Sequence, residues 1–246
     1  MTVLAVSGTG TEVGKTIVTA AICTLALQRG STVAVVKAAQ TGVGPDEPGD
    51  LAEIGRLCGP KSAGLSLVEG ARYPDPLSPA AAARVSGLTP VDLLAVAGQV
   101  EVLRESHRLV VIEGAGGLLV RFDEDGATLA DLAAACEAEV LIVAGAGLGT
   151  LNPTALTLEA LAHRGLPLAG VVIGSWPSDP DLACRSNVAD LEMLAARPLL
   201  GALPAGAGGL APDDFRRVAE AGLGPALGGR FQAATFRAAH KAGSTG

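Results

Sequence analysis

Aromatic side chains are nearly missing: one tryptophan, one tyrosine and four phenylalanines serve 246 residues. The core must therefore be built from valine, leucine, isoleucine and alanine, the usual stock of buried parallel strands and their covering helices. Cysteine is also sparse. The four, at positions 23, 58, 136 and 184, form no pair at metal-ligand or redox spacing. The histidines at 107, 163 and 240 are equally scattered, which speaks against zinc. Cys23 falls in an apolar helical stretch and reads as a small buried side chain. Positive charge is short, with 18 Lys and Arg against 25 Asp and Glu and a net charge of −7. That balance excludes a broad electrostatic surface for nucleic acid, although a nucleotide needs only a local nest and one or two cations. No apolar run is long enough to span a bilayer. The first residues enter a strand without a basic region or cleavage site. The chain is expected to be cytoplasmic and reduced, with no nucleic-acid or membrane partner.

What is present is alternation. Apolar runs near 2–7, 32–37, 108–113, 139–144, 167–173 and 198–203 predict strands. Helices are predicted over 14–29, 50–58, 89–105, 128–136, 152–164, 181–195 and 212–221. Leu109-Val110-Val111-Ile112 and Val140-Leu141-Ile142-Val143 are continuous rather than alternating, as strands buried on both faces should be. The fold class is α/β: a doubly wound, mainly parallel sheet flanked by helices, like that of P-loop NTPases. A single domain over 1–222 is followed by a Gly/Ala-rich tail, 223–246, whose last residues are expected to be loose. Thr89-Pro90 and Asn152-Pro153 read as helix starts, each with a cap residue before proline.

Chemistry gathers at the strand ends, where open α/β sheets bind ligands. The first run leads into Gly8-Thr9-Gly10-Thr11-Glu12-Val13-Gly14-Lys15-Thr16, a phosphate-binding loop ahead of a helix. Glycines let backbone N–H groups turn toward phosphate oxygens. Lys15 neutralises the outer phosphates, and the Thr16 hydroxyl reaches a magnesium ion. Five residues rather than four separate Gly8 from Gly14, so the common pattern is lengthened by one. The second strand ends in Lys37 to Gly42 and the third in Glu113 to Gly117. The later ones end in Gly147 to Asn152, Gly174-Ser175-Trp176-Pro177 and Leu203-Pro204-Ala205-Gly206. Lys37 can reach an anion bound over the sheet edge. Glu113 stands where phosphate-loop proteins put a magnesium carboxylate. Asp50 reads equally as a second metal carboxylate or as a helix cap. Thr11 and Glu12 lie in the loop facing a second substrate, and Trp176 reads first as cover for a core edge, with stacking on a base as the alternative.

These residues resemble the dethiobiotin synthetase family. The lengthened loop matches its G-T-(D/G)-T-(E/G)-V-G-K-T throughout. Lys37 to Gly42 is similar to its K-P-V-(Q/A)-(S/T)-G segment, Ile112 to Gly117 to its V-E-G-A-G-G, and Leu148 to Pro153 to its L-G-x-(L/I)-N-(H/P). The resemblance implies a Mg2+-dependent cyclo-ligase that joins 7,8-diaminononanoate and CO2 (or bicarbonate) at the expense of a nucleoside triphosphate. It implies catalytic roles for Lys37, Lys15, Thr11 and Glu12, and metal-associated oxygens from Thr16, Asp50 and Glu113. Nucleotide contacts are implied for Glu12, Val13, Gly14, Lys15, Thr16 and Ile17. They extend to Asp50, Glu113, Gly114, Ala115 and Gly116, and to Gly174, Ser175 and Pro204. The diamine is implied to meet Thr41, Leu77, Ser78 and Pro79. Gly149, Thr150, Leu151 and Asn152 are implied to meet its carboxylate across a homodimer interface.

Two departures stand out. Ala38 replaces the proline after the lysine, removing a φ restraint. Gly174-Ser175 replaces the family's Asn-Asp, whose amide reads the adenine edge. ATP is the default nucleotide, and the missing side chain implies relaxed base choice that admits CTP. The rival readings are a partition-type regulatory ATPase and a cobyrinate-type amidating synthetase. The first usually carries a second lysine early in the loop, where Gly10 stands. The second needs a glutaminase Cys–His pair that the sequence does not provide.

Overall fold

The structure, a computed structural model, describes residues 2–59 and 63–241. Seven strands form one sheet: Thr2–Gly8 (β1), Val33–Thr41 (β2), Leu65–Tyr73 (β3), Leu109–Gly117 (β4), Glu139–Ala144 (β5), Leu168–Trp176 (β6) and Gly201–Pro204 (β7). Their order is β3-β2-β4-β1-β5-β6-β7, and every pairing is parallel. Parallel neighbours require crossovers, supplied by helices Lys15–Gln28 (α1), Asp50–Cys58 (α2), Pro79–Ser86 (α3), Leu93–Ser106 (α4), Leu129–Ala135 (α5), Leu151–His163 (α6), Leu182–Ala195 (α7) and Pro212–Gly222 (α8). A last short helix, Ala233–Ala239 (α9), follows them.

The continuous apolar runs are explained by two cores. Along β1, Val3 and Ala5 face one core while Leu4 and Val6 face the other. The first core takes Val96 and Val100 of α4, Leu129 and Leu132 of α5, and Val188 and Leu191 of α7. The second takes Val18, Ile22 and Leu25 of α1, Ile54 and Leu57 of α2, and Phe215 of α8. The chain leaves β1 toward β2 on one side and leaves the adjacent β4 toward β5 on the other. Between the carboxyl ends of β1 and β4 the connections diverge and leave a crevice.

Several expectations need correction. Neither β3 nor α3 is announced by an apolar run. As an edge strand β3 is half-buried and carries Ser66, Glu69 and Arg72, so its hydrophobic signal is diluted. Helix α4 starts at Leu93, because Asp92 rather than Thr89 accepts the first-turn N–H, from Ala95 at 2.9 Å. The Thr89 carbonyl instead accepts the Tyr73 hydroxyl at 2.8 Å. In α6 the cap position is Thr150, which places Asn152 and Pro153 inside the first turn. Strand β7 begins at Gly201, later than the apolar run suggests.

After residue 222 the chain returns to the body. Leu223 is fully buried, and Arg29 donates to the Gly228 carbonyl at 2.6 Å. Phe236 of α9 meets Trp176 edge-on with ring centroids 4.9 Å apart. His240 lies 4.8 Å from the same ring, so Trp176 covers a core edge. Residues 242–246, where looseness was expected, lie outside the described residues.

Candidate functional site

The phosphate loop is held against the sheet from below. Thr9 donates its N–H to the Val143 carbonyl at 3.0 Å. Gly14 has φ +96°, and a Cβ there would lie 2.6 Å from the Gly174 carbonyl oxygen. On the facing side, a Cβ on Gly174 would lie 2.0 Å from the Val13 carbonyl oxygen. The loop thus rests on the end of β6 with no room for a methyl group on either side. Glu12 has φ +58°, a left-handed conformation that a non-glycine residue keeps only where its surroundings enforce it. Lys15 begins α1 and donates to the Gly10 carbonyl at 2.8 Å. Burial, aided by nearby Lys37, lowers the Lys15 pKa, with Glu113 and Asp50 opposing.

Beside the loop lies a charged knot. The Lys37 ammonium, 3% exposed, sits 2.5 Å from Asp50 Oδ2 and 2.8 Å from Glu113 Oε1, and donates to the Gly114 carbonyl at 3.2 Å. The Thr16 hydroxyl donates to Glu113 Oε1 at 2.9 Å. Burial alone would lower the Lys37 pKa. The Glu113 and Asp50 carboxylates outweigh it and hold the group above its ordinary value. Glu113 is fully buried, and its Oε2 has no hydrogen-bond partner among the described residues. An unpaired anionic oxygen in such a place is costly unless a cation comes to it.

These groups open onto a cleft of about 1010 Å³. It brings together Thr11, Glu12, Gly14, Lys15, Thr16, Lys37, Thr41, Asp50, Ala115 and Gly116 with Leu77, Ser78 and Pro79 from the start of α3. Glu113 lies beneath, joined through Thr16 and Lys37. Asp50 is the first residue of α2 and Gly49 its cap, so Asp50 is an ion-pair partner rather than a cap. Val13 and Ile17 flank the loop and pack against the second core, and Gly114 lies buried beside Leu129.

Three groups stand apart from the cleft lining. Gly174 is buried under the loop, while Ser175 and Pro204 are exposed at neighbouring strand ends. Gly149, Leu151 and Asn152 open α6 away from the cleft, with Leu148 beside them 93% exposed. Thr150 is tied to the Gly145 carbonyl at 2.9 Å. Conversely, Gln40, Pro76 and Val120 line the cleft without a sequence signal of their own. Gln40 is the exception in one respect, since it stands inside the Lys37 to Gly42 segment.

A parallel sheet with a lysine- and threonine-bearing phosphate loop at its switch point defines the class: phosphate-loop nucleotide-binding α/β proteins. Solved structures agree on the fold. The septum site-determining protein MinD complexed with Mg-ADP from Pyrococcus horikoshii matches with TM-score 0.57 and 17% identity, covering 89% of this chain and 94% of that one. A ParA family ATPase from Chlorobium tepidum matches with TM-score 0.54 and 14% identity over 92% and 95%. A family model described as AAA domain matches residues 2–208. Full-length likeness is narrower. ATP-dependent dethiobiotin synthetase BioD of Frankia casuarinae is 62% identical over 98% of this chain and 100% of its own. Its namesake from Streptomyces coelicolor is 56% identical over 98% and 99%. The chain belongs to the AAA-domain family and, within its full-length relatives, to the ATP-dependent dethiobiotin synthetases. It is a ligase of biotin biosynthesis, and the partition-type reading is left with the fold alone.

Proposed function

We propose that the cleft joins 7,8-diaminononanoate and CO2 through a carbamate that takes the γ-phosphoryl group of the nucleotide. One amine of the substrate bonds to CO2 and loses a proton. A carbamate oxygen then bonds to the γ-phosphorus as the bond to the diphosphate breaks. The second amine attacks the carbonyl carbon and loses a proton, the ureido ring closes, and phosphate leaves with the carbamate oxygen.

The observation that carries this reading is the buried Lys37 ammonium at the cleft floor, beside the phosphate loop. A carbamate and a triphosphate repel each other, and fixed cations in a site screened from water oppose that repulsion strongly. Lys37 is placed for the transferring group and Lys15 for the outer phosphates. The loop amides bind the phosphate oxygens, and Thr41 with Leu77, Ser78 and Pro79 offers a wall for the diamine. Holding the acceptor in line supplies much of the remaining rate.

The donor set fits Mg2+. Glu113 Oε2 has no partner, and the Thr16 hydroxyl and the Asp50 carboxylate add the hard oxygen donors that such an ion takes. When bound, the ion would supply further screening of phosphate charge. Gly149 to Asn152 lies outside this chain's own cleft, which suits a homodimer in which each copy's segment reaches the other's substrate. Among the described residues no helix is long and apolar enough to cross a membrane. A cytoplasmic setting without nucleic-acid partners accords with the acidic charge.

Base choice is proposed to be relaxed. The direction in which a Gly174 side chain would point is filled by Val13, so residue 174 offers no amide to a base. ATP and CTP in competition are expected to be used within about tenfold of each other, and strong ATP selectivity would overturn this. The identity of the phosphoryl acceptor is tested with C18O2. Each phosphate released should carry one labelled oxygen, the other remaining in the ureido carbonyl. With phosphate sampled before C18O2 exchanges its oxygens with water, unlabelled phosphate would mean that water is the acceptor.

A further inference from the structure

Helix α2 begins without a capping side chain of its own, since Gly49 has none to offer. The first N–H groups of a helix need outside acceptors, and here the acceptor comes from the sheet. Gln40 of β2, 4% exposed, accepts the Asp50 N–H on its Oε1 at 2.8 Å. Its amide nitrogen donates to the Thr41 carbonyl at 3.3 Å, which fixes the orientation of the amide. The fit is close: a Cβ on Gly49 would stand 2.6 Å from that same Oε1. Glycine at 49 and glutamine at 40 therefore belong to one contact.

The loop ahead of Asp50 is held from the neighbouring strand as well. Arg72 is paired with Gln40 across β2 and β3. Its guanidinium is oriented by both oxygens of Glu69, at 2.7 and 2.8 Å. It donates to the carbonyls of Gly44 at 2.9 Å and Glu47 at 2.6 Å. The Gly42 N–H reaches the Asp75 carbonyl at 3.0 Å. The segment that delivers Asp50 is thus tied down along its length, and its last tie is Gln40.

We propose that Gln40 is a positioning residue for the reaction. By holding the Asp50 backbone it keeps that carboxylate on the Lys37 ammonium and in place for the divalent ion. The proposal rests on the assignment of Asp50 to the metal-associated set. The Asp50 side chain is 34% exposed, so its carboxylate has water as an alternative partner once the backbone is released. Outer partners of metal ligands commonly alter metal affinity by about 10- to 100-fold when removed.

The test uses Gln40→Ala, Gln40→Glu and Asp50→Asn in the full chain. Three readouts are needed: amide exchange at Asp50 by NMR without ligands, the Mg2+ concentration that half-saturates nucleotide binding by calorimetry, and the melting temperature. Gln40→Ala should speed exchange at Asp50 and raise half-saturating Mg2+ about tenfold. Gln40→Glu keeps an acceptor oxygen but loses the N–H that the Thr41 carbonyl accepts, so it should recover both only in part. A purely structural role would lower the melting temperature without moving the Mg2+ curve. An unchanged Mg2+ curve in Gln40→Ala beside a shifted one in Asp50→Asn overturns the positioning role alone. An unchanged curve in Asp50→Asn removes Asp50 from the metal set and overturns both.

Discussion

Lys37→Ala is expected to lower diamine-dependent turnover by about 10²- to 10³-fold, the scale on which one transition-state charge contact is lost. The same substitution should cost stability, because the wholly buried Glu113 would lose its only cationic partner in the knot. Breaking a buried pair by removing one member typically costs about 3–5 kcal/mol. Asp50, 34% exposed, can turn to water and should contribute little to that loss. The sign of the pH dependence follows from Lys37. Its pKa is raised in the folded state, so its contribution is complete below the ordinary value of 10.5 and fades only as pH rises through the higher folded value. At neutral pH the effect of the substitution should therefore be full. Phosphate release and denaturant unfolding measure the two losses separately. Turnover within tenfold of the parent would take Lys37 out of the chemistry.

Gly174→Ala should lower diamine-dependent turnover by about a hundredfold, although residue 174 lies outside the cleft lining. The added methyl would stand 2.0 Å from the Val13 carbonyl oxygen and 2.6 Å from Val143 Cγ1. Relief requires the phosphate loop to rise by more than about 1 Å, and misplacements on that scale cost about 10²-fold in positioned chemistry. Phosphate release with nucleotide, Mg2+, bicarbonate and the diamine reads the effect, and turnover equal to the parent's would show that the loop does not depend on β6 for its height.

Much of the site was legible because the buried strands are continuous apolar runs that stop at chemistry. Lys37 follows Val33 to Val36 and Glu113 follows Leu109 to Ile112, and strands β2 and β4 pair with these two residues in register. Asp50 was ambiguous by sequence, since an acidic residue at a helix start serves a cap or a metal equally well. Its 2.5 Å approach to Lys37 is a tertiary fact that no local pattern carries. Strand β3 escaped because an edge strand mixes charge with apolar residues, and α3 because its alanines give no amphipathic stripe. Gly174 could be read as a missing base reader, whereas its contact with Val13 makes it the floor of the phosphate loop as well. Composition gave the segment after residue 222 no role beyond a Gly/Ala-rich tail. Four widely spaced contacts, through Leu223, Gly228, Phe236 and His240, are enough to seat it.

The central claim is that this site gives its phosphoryl group to the carbamate of the diamine and not to water. Phosphate release in the presence of nucleotide, Mg2+ and bicarbonate, with and without 7,8-diaminononanoate, tests it most directly. Carbamate acceptance predicts release only with the diamine, matched one for one by dethiobiotin. Release at the same rate without the diamine would contradict it.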